Sequence, residues 1–262
     1  MKHALTLAVA LASAATLADT TVTTVTDKDG KPYSVVYIGN GKVRAENLQG
    51  AEPSFVLYQT GIKQMTIVMP KRKTFMVMDA EKMKATMSAA NEQMQQMQEQ
   101  LKDLPASMRD QILKNLPNAG GNKPLIEMKV TKTGKSEQHG GYSCQLVDVD
   151  VTGIPMMGVV GHTHCVVPAD KLNVGGADLA TIKAMAAFGK EMTKELGQMV
   201  GGMPDLGDMG GWPVWTKDKR TGDSWGVKSV DHASIAGSMF EVPAGFKEEQ
   251  MPDLQGGGKK HK

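Results

Sequence analysis

Between residues 22 and 79 apolar and polar positions alternate in short runs broken by turn residues. This two-residue period predicts β-strands over 22–26, 33–38, 42–47, 54–59, 64–69 and 74–79. The punctuation has its own chemistry. Asp27-Lys28-Asp29-Gly30 and Gly39-Asn40-Gly41 are turn sequences, the second a strong hairpin signal because Asn and Gly tolerate positive φ. Gly61 and Pro70-Lys71-Arg72 mark further breaks. Six short strands with tight connections imply an antiparallel meander.

The period changes at Ala80. Met83, Met87, Ala90, Met94, Met97, Leu101 and Leu104 recur at alternating steps of four and three, which predicts one apolar stripe along a helix. Pro105 ends or kinks that helix, and 107–116 reads as a short second one. Strand patterns return over 125–133, 142–151 and 158–167. A long helix then follows from 178 to about 200, with the stripe Ile182, Met185, Gly189, Met192, Leu196, Met199 and Met203. After a glycine-rich loop over 201–211, segments 213–217 and 224–231 form a closing hairpin around Arg220-Thr221-Gly222-Asp223.

The expected fold is therefore α+β: about ten or eleven antiparallel strands curled into an incomplete barrel, its concave side covered by a Met-rich helical lid. In that lid Met83, Met87, Met94, Met97 and Leu101 face Ile182, Met185, Met192, Leu196 and Met199. An apolar ligand would sit between lid and sheet, because flexible thioether surfaces suit partners of variable shape.

The N-terminus alters the compartment. Lys2 and His3 precede an apolar run over 4–12, too short to anchor in a bilayer, and Thr16-Leu17-Ala18 suits signal peptidase. Residues 1–18 are thus expected to be a cleaved signal peptide, with Asp19 as the new N-terminus. The protein is then exported, soluble and periplasmic, with one domain over 19–254 and a disordered Gly/Lys tail over 255–262. No later run is apolar enough for a membrane anchor.

Charge is nearly balanced, 30 basic against 28 acidic side chains, which argues against a nucleic-acid partner. Aromatic residues are 5% of the chain, so no stacking platform for sugars or bases is expected. Methionine stands out, with 20 residues. Thioethers are soft ligands, and Met94-Gln95-Gln96-Met97 places two close together on a helix, which makes a copper-handling protein the alternative reading. A structural or interaction module without a small ligand, bound to another envelope protein, is the third.

Cys144 and Cys165 are the only cysteines. They lie on strands joined through Gly153-Ile154-Pro155, and in an oxidising compartment an even count predicts a disulfide. His162-Thr163-His164-Cys165 is the most metal-like string, with His139 nearby in sequence. Its histidines point to the opposite strand face from Cys165, however, and no metal or other cofactor is expected there. No nucleophile elbow occurs, and the glycine pair at 120–121 lacks the Lys-Ser/Thr ending of a phosphate loop, so the chain is read as non-enzymatic.

Three motifs carry a family resemblance. Gly41-Lys42-Val43-Arg44 is followed by the apolar strand 62–69 and by Lys73-Thr74-Phe75-Met76-Val77-Met78-Asp79. Gly140-Gly141-Tyr142-Ser143-Cys144 opens a later strand. Met239-Phe240-Glu241-Val242-Pro243-Ala244-Gly245-Phe246-Lys247 closes the domain. Together these resemble the exported bacterial family known as domain of unknown function 4412, itself similar in fold to the periplasmic lipoprotein carrier LolA and its receptor LolB. The resemblance covers about residues 33–247. It implies a half-barrel with a helical lid and an apolar interior, and it implies no reaction.

Overall fold

The structure, a computed structural model, describes residues 19–49, 52–62, 64–79, 127–154, 158–195 and 206–249, with isolated positions 81, 96, 99 and 105. The described strands are β1 (Thr20–Thr26), β2 (Pro32–Gly39), β3 (Lys42–Asn47), β4 (Ser54–Gln59), β5 (Gln64–Met69) and β6 (Thr74–Asp79), then β7 (Glu127–His139), β8 (Tyr142–Ile154) and β9 (Gly158–Val167), and finally β10 (Trp212–Asp218), β11 (Ser224–His232) and β12 (Lys247–Glu248). They form one sheet in the order β12-β6-β5-β4-β3-β2-β1-β11-β10-β9-β8-β7. The hairpin at Asn40-Gly41 forms as its sequence demands, with φ of 51° and 73°.

This sheet corrects the expected fold class. The described chain is one open, mixed sheet of twelve strands carrying a single long helix, rather than an α+β half-barrel under a two-helix lid. The mixed character comes from β12, which runs parallel to β6. The Lys247 N–H donates to the Lys73 carbonyl at 3.0 Å and the Glu249 N–H to the Phe75 carbonyl at 2.8 Å. A two-residue polar strand held by main-chain bonds leaves no alternating pattern to read. The sheet is open because β12 and β7 stand at its opposite ends.

The helix α1 (Gly176–Glu195) is alanine-rich, with Asp178 in its first turn where a carboxylate complements the helix dipole. It packs across β2 and β3. Its Ile182, Phe188 and Met192 are buried against Ile38, Val43 and Tyr58, so this face of the helix packs on the sheet. The other half of the expected lid, Met83, Met87, Met94, Met97 and Leu101, lies outside the described residues, as do Leu196 and Met199 and the segments 1–18 and 255–262 expected to be a signal peptide and a tail.

On the same face as these contacts, Val22, Val214 and Val227 join Cys144, Leu146, Cys165 and Leu172 in a second buried cluster. The opposite face is covered in two places. Phe55, Leu57 and Val68 pack against Phe75, Val242 and Phe246 of the C-terminal segment. Val147, Val149 and Val166 pack against Met209 of the short helix α2 (Leu206–Met209). Arg44 pins the C-terminal segment. Its Nη1 donates to the Met239 carbonyl at 3.0 Å, its Nη2 meets the Glu46 carboxylate at 2.6 Å, and its guanidinium lies 3.6 Å from the Phe55 ring centroid.

At the start of β1, Asp19 is buried. Its carboxylate accepts the Ile235 N–H at 2.7 Å and its carbonyl accepts the Ala233 N–H at 3.2 Å. Gly39 on β2 lies directly beside that carboxylate, and a Cβ at this position would collide with it. Glycine is required there by close approach rather than by backbone angle.

Candidate apolar binding site

Strands β1, β2, β10 and β11 are neighbours at the middle of the sheet, and α1, packed on β2 and β3, flanks the same face. The space between holds a cavity of about 360 Å³. Its floor is the alternating valines of the strands, Val22, Val36, Val214 and Val227, and its roof includes Ile182 and Met185. Trp212 and Trp215 close it along β10, while Thr24 and Ser34 supply hydroxyls. Apolar walls with a few polar groups are the usual make-up of a small-molecule site.

The local sequence explains how β10 presents so many large groups to one side. The register between β10 and β9 shifts between Pro213 and Trp215, leaving Val214 as the extra residue of a bulge. Val214 is buried and Trp215 packs against the same cluster. The Trp215 Nε1–H leaves the apolar space to donate to the Asp27 carboxylate at 2.7 Å, and its ring stacks on His139 with centroids 4.0 Å apart. On the roof, Gly189 lines the cavity, and a Cβ built there meets nothing within 4 Å. The missing side chain is thus part of the open volume.

Of the anticipated apolar site residues, the structure brings Ile182 and Met185 to the cavity, while Met192 is buried beyond it against the sheet. Phe188 is absent from the expected stripe, yet it is buried and lies 5.9 Å from Tyr58, centroid to centroid. A helix on a sheet buries a wider arc than a coiled-coil seam, so strict three-and-four spacing understates its buried face. Sequence reasoning misses the strand residues of the cavity as a site. Their only signal is ordinary strand alternation in four segments far apart in sequence.

Cys144 and Cys165 form the expected disulfide, with Cα atoms 5.3 Å apart. Cys165 pairs in register with Leu146, and both cysteines are buried on the cavity side of the sheet. His162 and His164 are on the opposite face. The His164 Nδ1 lies 3.0 Å from the Thr216 Oγ1, and burial, reinforced by the neighbouring His162, pushes its imidazole down to about 4. His162 sits 3.9 Å from the Asp218 carboxylate. Among the described residues no three His, Cys, Asp or Glu side chains are placed to hold a metal ion. Among them, too, no helix is long and apolar enough to cross a membrane.

No family model matches the chain, and no curated protein matches it. The resemblance to domain of unknown function 4412, and through it to LolA and LolB, finds no support in these comparisons. Among solved structures the chain is similar to the crystal structure of an uncharacterized conserved protein from Thermus thermophilus. That similarity spans 89% of this chain and 91% of the other at 6% identity, with a TM-score of 0.38.

Proposed function

We propose that this is an exported, periplasmic, non-enzymatic binding protein that holds an apolar ligand between the central strands and α1. The observation that carries the reading is the 360 Å³ cavity with valine, tryptophan and methionine walls. The cavity is partly open to solvent, so an apolar ligand seated in it would take these walls out of water, which is the favourable term for binding. The buried disulfide suits an oxidising compartment.

The test is to fill the roof. Gly189→Leu adds a side chain into the open volume while improving helix propensity by roughly 1 kcal/mol. Binding of a hydrophobic dye and of long-chain lipids should be lost, with the thermal midpoint unchanged or raised. Unchanged binding in the variant would exclude the cavity as the site. Native mass spectrometry of protein from its host adds the chemistry: a co-purifying lipid supports the reading, whereas a copper mass shift or a bare chain counts against it.

A further inference from the structure

A second concavity lies at the end of the sheet where the β1–β2 and β10–β11 turns meet. It has a volume of about 350 Å³, and its centre is a pair of stacked rings, Tyr33 and Trp225, with centroids 4.2 Å apart and planes 9° apart. His162 meets Trp225 edge-on at 5.9 Å. The two turns are joined by main chain, the Asp27 N–H donating to the Ser224 carbonyl at 2.9 Å, so the cleft is framed by fixed backbone.

The polar groups around this stack divide into two sets. Asp29 is engaged with Lys31 and Thr26, and Asp218 accepts the N–H groups of Arg220 and Thr221. These contacts hold both carboxyls below the usual carboxylate range, so they stay ionised. Lys28, the Tyr33 hydroxyl, the Trp225 indole N–H and the Asp223 carboxylate also border the cleft, and none of these groups bonds to another described side chain or main-chain group. The cleft thus offers an ammonium donor, an indole donor, a phenol that does both and a carboxylate acceptor, all around an aromatic surface.

From this juxtaposition we infer that the Tyr33–Trp225 cleft, which meets the apolar cavity at Trp225, binds an uncharged saccharide. A sugar ring presents C–H bonds on one face and hydroxyls at its rim that both donate and accept. Tyr33 and Trp225 cover one face of each other, so it is the outer side of the stacked pair that would take the former, and mixed donors and acceptors at fixed positions take the latter. The carboxylates of Asp29, Asp218 and Asp223 outnumber the Lys28 ammonium around the cleft and disfavour phosphate-bearing ligands, which removes nucleotides, the other users of aromatic platforms. The low aromatic content points to no such platform, but two rings far apart in sequence suffice when β2 and β11 pair with the two sides of β1.

The experiment is saturation-transfer NMR and calorimetry of the full exported chain with maltose, cellobiose, lactose and diacetylchitobiose, and with tetramethylammonium and adenosine monophosphate as contrasts. Saturable binding of at least one saccharide is expected, with Kd of about 0.1–10 mM for so open a site. Trp225→Leu and Tyr33→Leu should each weaken it at least about tenfold. Asp223→Asn, on an exposed turn, should weaken it severalfold with no change in thermal unfolding, and Gly189→Leu should leave it intact. The inference is overturned if no saccharide saturates, if only tetramethylammonium or the nucleotide binds, or if affinity survives both ring substitutions.

Discussion

The Thr20 hydroxyl donates a 2.6 Å hydrogen bond to the Asp178 carboxylate, fastening the first strand to the first turn of α1. Both residues are buried, and the His232 ring lies 3.5 Å from the same hydroxyl. The bond fixes the helix start over the strand that floors the cavity. Asp178→Ala leaves the buried hydroxyl without its acceptor and should cost about 1–3 kcal/mol in urea unfolding. Thr20→Val, which strands the carboxylate, should cost at least as much. If both variants unfold like the parent, the helix is held by apolar packing alone.

His164 makes stability depend on pH. Its folded-state value, about 4, lies below the ordinary histidine value of 6.5, so the folded protein favours the neutral ring. The contribution is complete above about pH 6.5 and is lost as pH falls towards 4, because the unfolded chain takes up the proton first. With the ring still partly open to solvent, the loss should be about 2–3 kcal/mol at most. Comparing parent with His164→Gln at pH 7 and pH 4.5 isolates this group. The parent should lose more stability than the variant, and a parallel fall in both would locate the acid sensitivity elsewhere.

The Cys144–Cys165 bridge closes a loop with a sequence separation of 21 and joins β8 to β9 inside the buried cluster. Chain-entropy reasoning gives about 3 kcal/mol for a loop of that size. The double variant Cys144→Ala, Cys165→Ala should therefore unfold at clearly lower denaturant, while dye binding persists at low temperature. Free thiols in non-reducing peptide maps of protein taken from its host would remove the bridge itself.

Most of the sheet was legible because alternation and turn chemistry are local. Gly39-Asn40-Gly41 and Arg220-Thr221-Gly222-Asp223 turn where their residue types require, and the strands they join follow the apolar pattern. The fold class was not legible, because β12 has no pattern of its own and α1 could not reveal whether its partner was helix or sheet. The disulfide was readable from count and order. The site was readable only in part: Ile182 and Met185 stand out on the helix, whereas Val22, Val36, Val214 and Val227 look like any strand valines until non-local pairing brings them together. Arg44 shows the same limit. The Gly-Lys-x-Arg and terminal Phe-x-Val-Pro motifs read separately, yet one hydrogen bond to the Met239 carbonyl joins them.

The position of β1 in the sheet has a bearing on the order in which the chain can fold. β1 lies between β2 and β11, and Thr20 is paired with His232. A chain emerging N-terminus first therefore cannot zip the centre of its sheet until the last stretch of sequence arrives. Such long-range closure slows folding. The register between the beginning and the end of the chain is therefore set late, after neighbouring hairpins such as β2–β3 and β4–β5 can already have closed on local sequence.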